Sequence, residues 1–351
     1  MAKSGFSRGF GLYPEEVIPP VVSVVIPTHD RPAFLREALV SVLENGFAGT
    51  FEIIVSDDSA TGSARPVVEA LGEACVRYVR NPEAGMIGNW DFGLRQATGR
   101  YATKLDDDNR FRPGFLQRCV AVLESEPEVA SVYTAHEIIR VPEGPNETVV
   151  DCDFFGLGRV DGFAYARAVL TNEGGYPRNQ KTSAVFRLDA ARQLDFYRFA
   201  REDFAFSAAL GLCGAVAYLP EVLYEWRIHA GSGIQDLYRT FRASRAACEG
   251  LLHLPVEVIQ PERAVAWRRA VRQSQGALPL CYVRTAFVEY DRATAWKLWR
   301  QLRAGKEATP PLVLALCVGT GMVLPQALVA GVFGLYRRSG TLQTLARAIV
   351  R

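Results

Sequence analysis

Four apolar segments in the first hundred residues decide most of what this chain can fold into. Runs rich in β-branched and aromatic residues recur at 21–28, 51–58, 76–79 and 101–105. The first two are nearly continuous, which is typical of parallel strands buried on both faces. Helical periodicity fills the intervals and begins at Pro32, a residue that suits a first helical turn. Strands that alternate with helices form βαβ units, so the sequence predicts a doubly wound α/β half.

Polar residues stand where three of these predicted strands end. Thr28 and Asp58 close the first and second strands, and three consecutive carboxylates, Asp106–Asp108, follow the fourth. The carboxyl ends of strands in an open α/β sheet line its ligand crevice. Oxygen ligands suit a hard ion such as Mg2+ or Mn2+, which commonly holds phosphates as well. We therefore predict a cation and phosphate site here, with a solvated acidic turn as the alternative.

Two common nucleotide-binding signatures are missing from the sequence. No G-x-G-x-x-G follows the first strand, and no G-x-x-x-x-G-K-[ST] occurs anywhere. The first absence removes the phosphate cradle of a dinucleotide-binding fold, and the second disfavours a P-loop enzyme.

The second half of the chain mixes strands and helices before it becomes helical. Strands are predicted at 130–135, 181–187, 216–219 and 222–227, and the pattern is helical from Ile234 to Arg303. The sequence predicts an irregular N-terminal segment at 1–20 and a catalytic domain at 21–235. The two halves of this domain are 21–110 and 111–235, and a basic helical region follows at 236–351.

Composition and cysteine usage place the chain among globular proteins. Of its 351 residues, 49% are hydrophobic and 22% charged, a balance that supports a real core. The seven cysteines are scattered without a C-x-x-C pair, which argues against a disulfide framework or structural zinc and favours a reducing compartment. No apolar run follows a basic N-terminus, so no signal peptide is predicted.

Five short stretches, kept in order, resemble glycosyltransferase family 2. Val24–Arg31 looks like the opening strand and "PTxNR" turn of that family, with Asp30 in place of Asn. Ile54–Ser59 is similar to the "VDDGS" segment, and Gly88–Tyr101 to the stretch that leads into the metal motif. Leu105–Asn109 then matches the D-x-D motif, and Glu202–Asp203 matches the "ED" pair. The resemblance covers roughly residues 21–235.

This resemblance implies a fold and an activity. The fold is GT-A, with a Rossmann-like, mostly parallel central sheet flanked by helices, here followed by a helical C-terminal extension. The activity is metal-dependent, inverting transfer of a sugar from a nucleotide diphosphate sugar, UDP- or dTDP-linked, with Mn2+ or Mg2+ as cofactor. The acceptor is a hydroxyl group. The membrane contact predicted below for the C-terminal region favours a hydroxyl of a glycan or a lipid-linked molecule, as in cell-surface polysaccharide synthesis.

The resemblance also implies roles for individual residues. Asp108 is the expected metal ligand, and Asp203 is the expected catalytic base. His229 is expected to ligate the metal or to hydrogen-bond phosphate for a different reason, its position between a strand and a glycine-containing loop. An ordinary turn histidine is the alternative for His229, and a helix N-terminal acid is the alternative for Asp203. Nucleotide binding is expected of Pro27, Thr28, Asp30, Arg31, Asp58, Asn89, Asp106 and Asp107. Strand alternation would put Asp107 opposite its neighbours, so we expect the chain to leave strand geometry at Asp106.

Two other functions compete with glycosyl transfer. A nucleotidylyltransferase would want a glycine-rich basic loop after the first strand, where Pro27–Pro32 stands instead. A catalytically inactive, membrane-associated carbohydrate-binding or scaffold protein would not need acids at 58, 107, 108 and 203.

The C-terminal region suggests contact with a membrane surface. Residues 262–351 carry 14 Lys and Arg but only 4 Asp and Glu, whereas the preceding residues carry 26 and 34. The uncharged segment 312–335 is long enough to span a bilayer, but Pro325 would kink a spanning helix. We predict peripheral attachment to anionic lipid on the cytoplasmic face of the cell membrane, with a single span or a buried helical pair as alternatives. No nucleic-acid partner is predicted, and homo-oligomerisation stays open.

Overall fold

The computed structural model describes seven stretches of the chain: 19–83, 85–141, 144–150, 158–171, 184–229, 236–286 and 292–305. Ten strands lie in them: β1 (Val22–Thr28), β2 (Phe51–Asp57), β3 (Val76–Arg80), β4 (Tyr101–Lys104), β5 (Arg110–Phe111), β6 (Val129–Val141), β7 (Glu147–Val149), β8 (Arg159–Val160), β9 (Val185–Arg187) and β10 (Ala215–His229).

Helices separate most of these strands and follow the last one. They are α1 (Pro32–Leu43), α2 (Arg65–Leu71), α3 (Met86–Arg95), α4 (Phe115–Ser125), α5 (Gly162–Thr171), α6 (Leu188–Gln193), α7 (Tyr197–Ala200), α8 (Asp203–Leu210), α9 (Leu237–Leu252), α10 (Val256–Ile259), α11 (Ala264–Thr285) and α12 (Arg292–Ala304). A short 3-10 helix, Pro261–Arg263, precedes α11.

All ten strands belong to one sheet. Its path runs β3-β2-β1-β4-β9-β6-β10-β5, with β7 beside β6 and β8 beside β10. Strands β1 to β4 are parallel, β9 runs antiparallel between β4 and β6, and β6 pairs with β10 in parallel. The predicted mostly parallel α/β fold is therefore confirmed. The ends of β1, β2 and β4 fall at one edge of the sheet, because their registers align there.

Helices bury apolar side chains against both faces of the sheet. Strand β1 illustrates this: Val24 and Ile26 belong to one buried cluster, with Leu35 and Leu39 of α1, while Val25 belongs to the other. A third, smaller cluster joins α9, α11 and α12. The predicted helical C-terminal extension is thus present in the described part of the chain, through residue 305.

The longest strand differs from its prediction. Two strands were expected at 216–219 and 222–227, but β10 is a single strand that pairs with β6 from Ala215 to His229. Its register shifts between Leu219 and Val222, where Pro220 removes a backbone donor. The sequence suggests a turn there, but the structure accommodates the proline in a β-bulge.

Helix α5 was not predicted at all. It is buried on nearly every side, so its sequence lacks the alternation of apolar and polar faces that reveals a surface helix. At its start the backbone lies against the end of α8: a Cβ on Gly162 would lie 1.9 Å from the Gly214 carbonyl oxygen and 2.3 Å from that of Gly211. This close approach requires glycine and ties α5 to α8, whose first residue is Asp203.

No helix in the described stretches has the length and apolar character to cross a bilayer. The segment 312–335, on which the membrane prediction rests, lies outside the described residues.

Candidate active site

A tight turn carries the three consecutive carboxylates. Strand β4 ends at Lys104, and Leu105 still donates its N–H to the Val25 carbonyl at 2.9 Å. The turn is closed by the Asn109 N–H, which donates to the Asp106 carbonyl at 2.9 Å. The chain therefore leaves strand geometry at Asp106, as predicted. This turn allows neighbouring aspartates to share one site instead of pointing to opposite faces of the sheet.

Arg31 and Thr28 hold the middle carboxylate of that turn. Thr28 Oγ1 donates to Asp107 Oδ2 at 2.6 Å, and Arg31 Nε donates to the same oxygen at 3.2 Å. Arg31 Nη2 also lies 2.6 Å from Asp107 Oδ1, as an ion pair without hydrogen-bond geometry. Asp107 is fully buried, and burial raises its pKa to about 7 although Arg31 and Thr28 favour the charged form. Arg31 thus supplies the positive charge that offsets the repulsion among the three consecutive carboxylates.

The third carboxylate meets a histidine from the far end of the sheet. Asp108 Oδ2 accepts from Arg31 Nη1 at 2.7 Å and lies 3.2 Å from His229 Nε2. Both side chains retain some exposure, 14% for Asp108 and 11% for His229. His229 is the last residue of β10, and its ring packs on Phe34 with centroids 4.8 Å apart.

The Asp108–His229 pair suits a divalent cation in its chemistry. A carboxylate oxygen is a ligand that Mg2+ and Mn2+ favour, and a neutral imidazole nitrogen is a common ligand of metal ions in proteins. Within the described residues, no group of three or more His, Cys, Asp or Glu is arranged to hold a metal. The two side chains therefore fit an ion that takes its other ligands from phosphate oxygens and water, the usual pattern for ions that hold nucleotide phosphates.

Asp203 stands at the first position of α8, on the other side of the turn. Tyr197 donates its hydroxyl to Asp203 Oδ1 at 2.7 Å, and Lys104 Nζ lies 3.3 Å from the same oxygen. Burial, and then the charge of Asp203, raise the pKa of Tyr197 well above its ordinary value, so this hydroxyl is a donor at neutral pH. The Asp203 side chain remains 26% exposed.

Lys104 connects Asp203 to the acidic turn and was missed by the sequence analysis. Its Nζ donates to Asp106 Oδ1 at 2.6 Å and lies 3.8 Å from the centroid of the Trp90 ring. Burial disfavours its charge, but Asp106 and Asp203 outweigh that effect and raise the pKa of Lys104. A lysine at the end of a predicted strand, two residues before an acid, was the available signal.

Asp58 occupies the neighbouring strand end and organises a different part of the site. Its Oδ2 accepts the Gly85 N–H at 2.7 Å, and its Oδ1 lies 2.9 Å from His29 Nδ1. Gly85 has a φ of 139°, which favours glycine, and directly precedes α3. The sequence analysis assigned no role to His29. Its side chain contacts Asp58 and is 57% exposed.

The remaining residues expected to bind nucleotide lie at the edge of the site or beneath it. Asn89 is buried, and its Nδ2 donates to the Ser56 carbonyl at 2.8 Å and to that of Thr28 at 3.3 Å, so it braces β1 against β2. Pro27 lies within β1, and Asp30 is exposed with a φ of 52°. The nucleotide-binding roles of these residues stay predictions.

Comparison with known proteins agrees with this geometry. The model of the family described as "Glycosyl transferase family 2" matches residues 23–182, which include β1 to β4, the acidic turn and Arg31. Residues 23–182 of the chain belong to glycosyltransferase family 2. They carry four of the five stretches on which the predicted resemblance rests.

Curated relatives match parts of this chain. A GalNAc(5)-diNAcBac-PP-undecaprenol beta-1,3-glucosyltransferase of Campylobacter jejuni is 37% identical over 101 residues, which cover 28% of this chain and 32% of that protein. An uncharacterised glycosyltransferase of Haemophilus influenzae is 23% identical over 232 residues, which cover 62% and 68%. The chain thus spans about a third of the length of the first of these relatives.

Solved structures share the GT-A fold. The mannosyltransferase PcManGT from Pyrobaculum calidifontis, in complex with GDP-Man and Mn2+, superposes with a TM-score of 0.51 at 18% identity, covering 97% of this chain and 89% of that one. TarS of S. aureus, residues 1–349 in complex with UDP-GlcNAc, superposes with a TM-score of 0.50 at 16% identity, covering 81% and 91%. These likenesses confirm the predicted fold.

Proposed function

We propose that this family 2 protein transfers a sugar, with inversion, from a nucleoside diphosphate sugar to a hydroxyl of a glycan or lipid-linked acceptor. One observation carries the proposal: Asp203, from the second half of the sequence, reaches the aspartate turn of the first half through a shared lysine. Lys104 Nζ lies 2.6 Å from Asp106 and 3.3 Å from Asp203. The expected base and the expected phosphate site therefore border one region, here called the cleft, and the donor sugar would lie between them.

The donor side of the cleft is built for a diphosphate. Asp108 and His229 would hold Mn2+ or Mg2+, and the bound ion stabilises the charge of the leaving diphosphate as a Lewis acid. Arg31 supplies a fixed guanidinium beside Asp108, at 2.7 Å. Asp58 lies at the next strand end, where it would accept an N–H of the nucleobase. The solved complexes of PcManGT with GDP-Man and of TarS with UDP-GlcNAc support a nucleotide-sugar donor, for which we propose a UDP- or dTDP-sugar.

The acceptor side of the cleft is built to take a proton. As the acceptor hydroxyl oxygen bonds to the anomeric carbon, the bond from that carbon to the diphosphate breaks and the hydroxyl proton passes to Asp203. Attack from the side opposite the diphosphate inverts the anomeric configuration. Tyr197 and Lys104 both engage Oδ1 of Asp203, which directs the carboxylate without protonating it.

We propose that the catalytic domain is 21–235, with the donor half at 21–110 and the acceptor half at 111–235, and that 236–351 brings it to the cytoplasmic face of the cell membrane. The Campylobacter relative is named for an undecaprenol diphosphate substrate, which supports a lipid-linked acceptor. The basic C-terminal region supports attraction to anionic lipid. Attachment at the surface would hold the active site beside such an acceptor.

The test begins with the donor. Thermal denaturation with UDP, dTDP and GDP, each with and without Mn2+, identifies the base, because a ligand that binds the folded state raises the melting temperature. The matching sugar nucleotides are then assayed for release of nucleoside diphosphate, and NMR of the transferred sugar reports its anomeric configuration. We expect stabilisation that depends on Mn2+ and a product of inverted configuration. Retention of configuration, or no stabilisation by any nucleotide, contradicts the proposal.

A further inference from the structure

A buried ammonium group lies at the centre of the site, between residues with separate roles. Lys104 is 9% exposed at its side chain and lies in β4, whose four residues are all buried. Removing an ammonium from water is expensive unless it is paired. Here Asp106 and Asp203 supply negative charge at 2.6 and 3.3 Å, and the face of Trp90 lies 3.8 Å away. The lysine thus belongs to the site and not to the apolar core.

The two oxygens of Asp203 have different surroundings. Oδ1 accepts from Tyr197 at 2.7 Å and pairs with Lys104 at 3.3 Å. In the described part of the chain no donor reaches Oδ2, and the side chain is 26% exposed. Two fixed donors on one oxygen restrict rotation of the carboxylate, so Oδ2 is the oxygen presented to the cleft.

Tyr197 and Lys104 are themselves held in place by Trp90. The Tyr197 ring packs edge-on against the Trp90 ring, with centroids 5.2 Å apart, and also stacks on Phe206 of α8 at 4.5 Å. Trp90 comes from α3, which follows β3 and begins directly after Gly85, the residue whose N–H donates to Asp58. The orientation of Asp203 therefore depends on elements from the donor half of the protein as well as on its own helix.

We propose that Lys104 is a positioning residue for glycosyl transfer, one that orients Asp203 toward the acceptor by bridging it to Asp106. The inference rests on the proposed function, in which Asp203 takes the acceptor proton. Proton transfer requires the base within hydrogen-bond reach of the hydroxyl, and small displacements of a reacting group are costly in rate. A lysine that only balanced the charges of two neighbouring carboxylates would stabilise the fold without affecting turnover.

The experiment compares Lys104→Met and Lys104→Gln with a matched control, Arg100→Met. Arg100 directly precedes β4 and pairs with the exposed Glu124, away from the site. The probe is whichever of UDP-GlcNAc, UDP-glucose, dTDP-glucose and GDP-mannose the wild-type protein hydrolyses fastest with Mn2+, and kcat and KM are measured by release of nucleoside diphosphate. We expect kcat to fall about 10²-fold in both Lys104 variants, with the KM for the donor unchanged and the control unaffected.

A double-mutant cycle separates positioning from a structural role. If Lys104 acts through Asp203, then Lys104→Met in the Asp203→Asn background causes no further loss of kcat, because the base is already absent. Thermal denaturation and binding of the nucleoside diphosphate are measured on every variant. Lys104→Gln keeps most of the side-chain length and a hydrogen-bond donor, and so guards against a Lys104→Met variant that fails to fold.

Three results would overturn the proposal. One is wild-type kcat in either folded Lys104 variant. Another is a full, multiplicative loss in the double variant, and the last is unfolding of both Lys104 variants, which would assign the lysine to stability alone. Failure of the wild-type protein to hydrolyse any donor removes the proposed function together with this inference. Active wild-type protein with uncoupled Lys104 and Asp203 removes the inference alone.

Discussion

His229 Nε2 lies 3.2 Å from Asp108 Oδ2, although 121 positions separate the two residues in the sequence. Their contact joins the end of β10 to the turn after β4, on opposite sides of β9 and β6 in the sheet. Each residue alone has an ordinary explanation, as a turn histidine or a turn aspartate. Side by side and partly exposed, they are placed as the proposed cation site requires.

Removal of the Asp108 charge tests the metal site. Asp108→Asn keeps the side-chain volume but removes the anionic ligand, so we expect donor hydrolysis to be lost while the melting temperature changes little. EDTA should have the same effect on the wild-type protein, and added Mn2+ should reverse it. His253→Asn is the matched control, since that histidine follows α9 outside the site. Full activity in EDTA would exclude the metal role.

Asp203→Asn tests the catalytic base. We expect kcat to fall by roughly 10²–10⁴-fold, the usual contribution of a general base, while the affinity for the nucleoside diphosphate stays the same. Glu202→Gln is the control, because it removes the adjacent charge at the N-cap of α8 and leaves Asp203 in place. A collapse of nucleotide binding in Asp203→Asn would identify the residue as a donor ligand or a structural group.

The pH dependence of stability should report the environment of Asp57. Burial disfavours its charge, but hydrogen bonds from Ser59, Ala64 and Tyr78 outweigh burial and hold the pKa of Asp57 below its ordinary value. A lowered folded-state pKa contributes stability that is present above the unfolded-state pKa of about 3.9 and is lost as pH falls through the folded-state pKa. The free energy of unfolding should therefore decrease as the pH is lowered below about 4.

Tyr78→Phe is the variant that tests this assignment. It removes the hydroxyl that lies 3.1 Å from Asp57 Oδ2, so the pKa of Asp57 should rise toward its ordinary value. Urea denaturation between pH 2 and pH 7 should show that the variant loses less stability on acidification than the wild-type protein does. At neutral pH the free energy of unfolding of the variant should be lower by about 0.5–1.5 kcal/mol. Identical pH profiles for the two proteins would contradict the assignment.

Arg187 offers a test of how the second half is anchored. Arg187 is the last residue of β9, and its guanidinium donates to the carbonyls of Leu123 and Glu126 at 2.6 and 3.2 Å, at the C-terminal end of α4. It also donates to the carbonyl of Val129, the first residue of β6, at 2.8 Å. Arg187→Met should lower the free energy of unfolding by about 1–3 kcal/mol, and Arg187→Lys should recover only part of it because lysine lacks the planar fork. Equal stability of the lysine variant and the wild-type protein would show that charge alone suffices.

Membrane attachment is tested by truncation before Pro310. We expect the full chain to float with anionic vesicles at low salt and to be released by high salt, because screening weakens the attraction of basic residues to lipid. The truncated protein should remain unbound yet hydrolyse donor normally, since β1 to β10 are intact. Neutral vesicles are the control for charge. A full-length protein that never associates with anionic vesicles would exclude the peripheral placement.

Local pattern was enough to predict most of the first half. The apolar run of β1 and the stripe of α1 depend on residues a few positions apart, and the structure places both elements within a residue or two of the expected bounds. The same reasoning failed for α5 and at Pro220. Helix α5 exposes only a narrow stripe at Ala164 and Arg167, so it has almost no polar face to reveal it. A proline in a strand resembles a turn until a partner strand shows the bulge.

The sequence by itself determined the order of strands and helices in the first hundred residues, the family resemblance and the acids at the strand ends, because periodicity and short motifs are properties of neighbouring residues. Only the tertiary structure decided which side chains meet. Arg31 contacts Asp108 although 77 positions separate them in the sequence. Lys104 contacts Asp203 although no pattern in either segment predicts the contact. Such contacts depend on the pairing of distant strands, which brings their ends to one edge of the sheet. The physical cause is the register of the sheet. Backbone hydrogen bonds between strands fix this register, and the register in turn decides which charged side chains at the strand ends face one another.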